Sequence, residues 1–167
     1  MTNKGKKNFP NKKKIARELL EKGYQFQISG DINHAIEYYR KSILALPTAE
    51  AHTFLGWAYS FQGHYDEAIR ECQKAIKLDP EFGNPYNDIG AYLLDKGCLD
   101  EAIPWLEKAI NAKRYDSYFY PHYNLGRIYE QKGIWSQAVT NYKRAIELKT
   151  DYLLARKAYN RILALLN

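Results

Sequence analysis

Apolar side chains recur three and four residues apart through residues 49 to 62 and again through 66 to 79, the spacing of amphipathic helices. The first segment carries Leu55, Gly56 and Tyr59, and the second Ala68, Ile69, Cys72, Ala75, Ile76 and Leu78. Between them Gln62-Gly63-His64-Tyr65 breaks the pattern with a glycine, which lets a helix end in a left-handed conformation, and Asp66 is placed to cap the helix that follows. Pro80 has no N–H to continue the second helix and stops it. An antiparallel helix pair is predicted. Gly56 and Ala68 face each other across it, where minimal side chains let the backbones approach, while Tyr59 and Ala75 fill space toward neighbouring helices.

The same pattern returns along the chain. Gly23, Gly56, Gly90 and Gly126 recur 33, 34 and 36 residues apart. Each is followed by a second glycine (Gly30, Gly63, Gly97, Gly133), then an alanine (Ala35, Ala68, Ala102, Ala138), then another small residue (Ser42, Ala75, Ala109, Ala145). Four markers holding four registers define an internal repeat, and such a period specifies stacked helical hairpins. The pattern resembles the tetratricopeptide repeat family, whose unit is a helix–turn–helix of roughly 34 residues, and the resemblance covers residues 16 to 167. It implies an all-α, right-handed α-solenoid of four units, about 16–48, 49–82, 83–118 and 119–152, followed by a capping helix at 153–166, so that residues 15–167 form one domain.

The units depart from one another in ways that predict local structure. Lys22 stands where Leu55, Ile89 and Leu125 stand in later units, as suits an exposed terminal unit. The third unit has Arg114 in place of the closing proline, and extra residues within Lys113 to Tyr118 predict a longer junction. Pro104 is expected in the first turn of its helix, where a missing N–H is tolerated. Residues 152 to 166 match only the first half of a unit and should cover the apolar end of the stack.

Composition narrows the function classes. Six of the 25 basic residues are lysines within the first 14 positions, Lys4, Lys6, Lys7, Lys12, Lys13 and Lys14, and the other 19 balance 19 acidic residues. Residues 1–14 therefore read as a solvated, disordered leader. No apolar run approaches the roughly 20 residues of a membrane helix, and Cys72 and Cys98 form neither a CxxC nor a Cys/His cluster, so a cytoplasmic protein without metal or cofactor is expected. Catalytic motifs such as HExxH, GxSxG and GxxxxGK[ST] are absent. The histidines are scattered: His52 and His122 share a packing position in their units, His34 and His64 lie near helix starts, and Cys72 takes a packing slot equivalent to Tyr39, Leu106 and Tyr142.

In a stack of this kind the first helix of each unit lines the concave side, and positions spaced by three and four share one face. The resemblance thus points to a peptide groove containing Tyr24; Thr53, Trp57 and Phe61; Asn84 and Asn87; Tyr120, Tyr123, Asn124 and Arg127; and Lys157 and Arg161 of the last helix. One end reads apolar and aromatic, the other polar to basic. Side-chain amides could bond an extended peptide backbone and the rings could anchor its side chains. A subclass of the family grips a C-terminal carboxylate with successive Lys/Asn and Lys/Arg pairs; only an isolated Asn matches here. The expected function is a non-catalytic adaptor or scaffold that binds a protein or peptide partner. Self-association through the leader or the apolar Ile162-Leu163-Ala164-Leu165-Leu166 is the chief rival. Association of the basic leader with nucleic acid or anionic lipid is a third reading, against which the lack of a basic folded face or a nucleic-acid motif argues.

Overall fold

The structure, a computed structural model, describes residues 11–166. Among them are nine α-helices: α1 (Lys12–Ile28), α2 (Ile32–Ala45), α3 (Ala49–Phe61), α4 (Tyr65–Leu78), α5 (Asn84–Asp95), α6 (Leu99–Asn111), α7 (Phe119–Gln131), α8 (Trp135–Leu148) and α9 (Leu153–Leu166). Helices pair as α1/α2, α3/α4, α5/α6 and α7/α8, and each pair stacks on the next to give an all-α solenoid. Contacts also join α1 to α3, α3 to α5 and α5 to α7, which makes the first helices of the units one continuous inner layer. Residues 1–10, which carry most of the expected disordered leader, lie outside the described residues. The helix starts earlier than the expected boundary at residue 15, because the Asn11 side chain accepts a hydrogen bond from the Lys13 N–H at 3.1 Å and caps α1.

The turn within each unit is set by its second glycine. Gly30, Gly63, Gly97 and Gly133 have φ of 86°, 75°, 80° and 71°. Around Gly63 the His64 N–H donates to the Tyr59 carbonyl at 3.1 Å and the Gly63 N–H to Ser60 at 3.0 Å. This paired closure satisfies carbonyls that the ending helix would leave orphaned. A Cβ at Gly63 would meet nothing within 4 Å, so substitution there strains the backbone without any clash. Gly63→Ala should lower the unfolding free energy by about 1 kcal/mol, read from urea denaturation; an unchanged midpoint would show that the turn has no need of a left-handed residue.

The first glycine of each unit serves close packing instead. A Cβ on Gly90 would lie 2.5 Å from Leu106, and on Gly56 it would lie 2.9 Å from the Ala68 carbonyl and 3.1 Å from Cys72 Sγ. Tyr39, Cys72, Leu106 and Tyr142 are all fully buried across from these glycines, in the equivalent slots the repeat predicts. The smaller markers are buried too, and Ser42, the one polar member, donates to the Ala16 carbonyl at 2.7 Å. Lys22 is exposed and lies over the Tyr38 ring, whereas Leu55, Ile89 and Leu125 are buried. At the far end, Ala158 and Ile162 of α9 pack on Ala138 and Tyr142 of α8, while Leu153, Leu154, Leu165 and Leu166 are exposed.

Two local expectations change. Asp66 does not cap α4, which begins one residue earlier behind His64; it sits in the first turn and pairs with Lys96. That pairing recurs: Asp100 meets Lys132, and the Asn33 amide oxygen accepts from Gln62 at 2.8 Å. A second-position side chain of one unit's second helix thus reaches the C-cap of the next unit's first helix at three successive boundaries. Pro104 lies in the second turn of α6, not the first, because the helix starts at Leu99, and the helix still runs unbroken to Asn111. The long junction after α6 folds back. The Arg114 N–H donates to the Glu81 carbonyl at 2.9 Å, its carbonyl accepts from Gly83 at 3.0 Å, and its guanidinium sits 4.0 Å from the Phe82 ring centre. That guanidinium pairs with Asp79 at 2.6 Å and Glu50 at 2.9 Å, holding the Asp79 carboxyl below its ordinary range. Tyr115 is buried against Gly83, whose added Cβ would lie 2.5 Å from it.

Candidate functional site

The inner layer presents the side chains that the sequence selects, but it engages them unequally. At one end an aromatic strip runs across α1 and α3. Tyr24 meets Phe54 edge-on at 5.7 Å, Phe54 tilts against Trp57 at 6.1 Å, and Trp57 against Phe61 at 5.5 Å. Phe61 is 60% exposed and Trp57 part-buried, so both rings are open to a ligand. Thr53 is buried and spends its hydroxyl on the Ala49 carbonyl at 2.8 Å; it forms groove floor. At the other end Tyr120 and Tyr123 both pack edge-on against Tyr152, at 5.7 and 5.2 Å, and Tyr120 remains exposed.

Between the ends lies a polar network that joins α5 to α7. Asn87 Nδ2 donates to Asp88 Oδ1 at 3.3 Å, and Asn87 Oδ1 accepts from Asn124 Nδ2 at 3.2 Å. Asn124 Oδ1 in turn faces Arg127 at 3.5 Å, and Arg127 pairs with Asp95 at 3.2 Å. Asn87 and Asn124 are buried and bonded to each other, whereas Asn84 is exposed and free to meet a peptide backbone. The basic end is neutralised within the chain as well. Arg161 grips both Glu130 oxygens, at 2.7 and 2.9 Å, and Glu130 also accepts from Tyr142 at 2.6 Å. Of the three cations selected there, Lys157 alone has no ion pair among the described residues.

A cavity of about 430 Å³ opens over Tyr123, Arg127, Lys157 and Arg161 at the basic end, and two more lie along the face. One, of about 420 Å³, lies over Thr53, Trp57, Asn84, Asn87 and Tyr120. Its neighbour, of about 320 Å³, is bordered by Trp57, Phe61 and Tyr92, and Asp88 lines both. Asp88 is not among the groove residues that the sequence selects, although the helical register places it one residue from Asn87 on the groove side. It is part-buried, and burial pushes its carboxyl up to about 7, with the Asn87 amide opposing. A carboxyl beside two amides could have been flagged from α5 alone; what the sequence does not carry is that no cation is brought to it.

The remaining titratable groups serve packing. His52 Nδ1 bonds Glu71 at 2.7 Å, and His122, in the equivalent position, faces Asn141 at 3.2 Å, with burial lowering its pKa. Burial raises the Cys72 thiol well above its ordinary range. Among the described residues no group of three His, Cys, Asp or Glu side chains could hold a metal ion, and no helix is long and apolar enough to cross a membrane.

Family models described as tetratricopeptide repeat match residues 49–82, 84–116 and 119–152. The chain is 31% identical over 96 residues to the small glutamine-rich tetratricopeptide repeat-containing protein 2 of Mycosarcoma maydis, covering 57% of this chain and 27% of that protein. It therefore spans about a quarter of that relative's length. Among solved structures, PilF of Pseudomonas aeruginosa superposes with a TM-score of 0.85 at 20% identity, over 92% of this chain and 69% of that one. YrrB, described as a TPR protein with an unusual peptide-binding site, superposes with a TM-score of 0.69 at 20% identity, over 87% and 74%.

Proposed function

The chain belongs to the tetratricopeptide repeat family, and on that premise we propose that it is a non-catalytic adaptor that holds an extended segment of a partner protein along the inner layer of α1, α3, α5, α7 and α9. The observation that carries this reading is the open aromatic face: Trp57 and Phe61 border one cavity, and Trp57 and Tyr120 border the next together with the exposed Asn84 amide. Rings of this kind anchor side chains, and an amide offers both a donor and an acceptor to a peptide backbone. That the YrrB structure is described by a peptide-binding site is in keeping with such use of the fold. A cytoplasmic location is proposed with it. The repeats themselves make the chain a protein-interaction module; the segment, its position and the adaptor role are the proposal.

The test is a partner captured from native lysate and then titrated by calorimetry as a purified protein. Trp57→Ala should weaken its binding about tenfold, or about 1.4 kcal/mol, while the melting temperature moves by only a few degrees. Adding Arg127→Ala should weaken it further by opening the Asn124 network. Undiminished binding by the double variant would place the interface elsewhere, and size that grows with concentration in light scattering would favour self-association.

A further inference from the structure

The cavity between α3 and α5 has a chemistry that fits one kind of side chain. It is lined by the rings of Trp57, Phe61, Tyr65 and Tyr92 and by the carboxyl groups of Asp88 and Asp95. Asp79, Asp66, Asp95, Glu50, Glu71 and Glu130 all have cationic partners within the chain, but Asp88 has none among the described residues and takes a single long hydrogen bond, 3.3 Å from Asn87. The Tyr92 hydroxyl, on a residue only 5% exposed, is buried beside Ser60, whose oxygen can accept from it. Ser60 beside it gives its proton to the Trp57 carbonyl at 2.7 Å. An anion entering this cavity would meet Asp88 and Asp95, and an aliphatic side chain would leave Asp88 without a counter-charge. A cation with several N–H groups supplies that counter-charge and is also held by the aromatic faces.

We infer that this cavity receives the arginine or lysine side chain of the bound partner segment, with Asp88 as its counter-charge. The inference rests on the peptide-in-groove reading above and specifies its ligand. Asp95 also lines the cavity but is taken by Arg127, so Asp88 is the anchor. The groups facing Asp88 leave it the titrating member. Trp57, Ser60 and Phe61 of α3 carry no charge, the α4 thiol Cys72 is buried with its pKa raised, the Tyr92 and Tyr115 hydroxyls are pushed up by burial, and Arg127 of α7 is already paired. With its carboxyl at about 7, Asp88 is mostly neutral at pH 6 and mostly ionised at pH 8. Binding of a cation should therefore tighten about tenfold across that interval.

The test pans a displayed library of random dodecapeptides against the full chain, then measures the selected peptides in solution at pH 6 and pH 8. Peptides whose binding depends on Trp57 should share one arginine or lysine position. Replacing that residue by citrulline or norleucine should cost tenfold or more. Asp88→Asn should cost as much at pH 8 and abolish the pH dependence, while Asp88→Glu should retain part of it, and a melt of each variant excludes unfolding as the cause. Trp57-dependent peptides with no shared basic position, or ones that bind Asp88→Asn equally well, overturn the inference and leave the groove reading standing. Recovery of no Trp57-dependent peptide at all would overturn both.

Discussion

Gly90→Leu is expected to lower the unfolding free energy by about 3 kcal/mol, the upper part of the range for overpacking a filled core. The cause is local and specific. A Cβ on Gly90 would lie 2.5 Å from Leu106 Cδ2 and Cγ and 3.4 Å from the Ala102 carbonyl. Leu106 is fully buried among Ile89, Leu93 and Ile128, so it has no open space in which to turn aside. Relief must come from moving α5 away from α6, which opens gaps along both helices. For a chain of this size about 3 kcal/mol corresponds to a fall of roughly 6–12 °C in melting temperature. Trp57→Ala should produce much less, since the indole is part-buried on the groove surface. A Gly90→Leu protein that melts within a degree of wild type would mean that the two helices do not cross at this glycine.

The second large effect runs in the opposite direction. Asp88→Asn should stabilise the protein at pH 8 and do so progressively less as the pH is lowered. Burial raises the Asp88 carboxyl from 3.8 to about 7. Between those values the folded chain holds a proton that the unfolded chain has released, so the aspartate's contribution is fully favourable below 3.8 and is lost as the pH rises through about 7. The full separation corresponds to a ceiling of about 4 kcal/mol, and a gain on the order of 2 kcal/mol is expected at pH 8 because groove solvent screens part of the penalty. Glu71 and Asp79 have lowered pKa values, so their stabilisation is lost only at more acid pH and with the opposite sign, and it is common to both proteins. The quantity to measure is thus the difference in melting temperature between Asp88→Asn and wild type from pH 4.5 to 8. A flat difference, or one that grows toward acid, would show that Asp88 is not desolvated.

Architecture could be read from the chain because it depends on residue size at fixed intervals. Gly90 beside Leu106, and Gly63 at φ 75°, are requirements of shape and backbone that only certain residues meet. The groove's chemistry was less legible, because it depends on which charges meet across units. Arg127 and Arg161 read as groove cations, yet Asp95 and Glu130, 32 and 31 residues away, pair with them. Asn87 and Asn124, 37 residues apart, bond to each other. Asp88 lay beside those residues but stood out only once the structure brought no cation to it. Arg114 looked like a missing proline, and nothing local announced that its partners are Asp79, 35 residues before it, and Glu50, 64 before it.

That arginine bears on how the solenoid can flex. A stack of hairpins behaves as a spring: its curvature, and with it the width of its groove, is the sum of small rotations at the boundaries between units. Arg114 ties the start of α3 and the α4–α5 junction to the loop before α7, and buried Tyr115 wedges the same place against Gly83. The middle boundaries therefore resist bending. The other boundaries are joined differently: α2 to α3 by the Gln62–Asn33 hydrogen bond and the packing of Ala35 and Ile36 on Leu55 and Ala58, and α9 by the Arg161–Glu130 pair and the seating of Ala158 and Ile162 on α8, so a change of curvature has a different set of contacts to break at each joint.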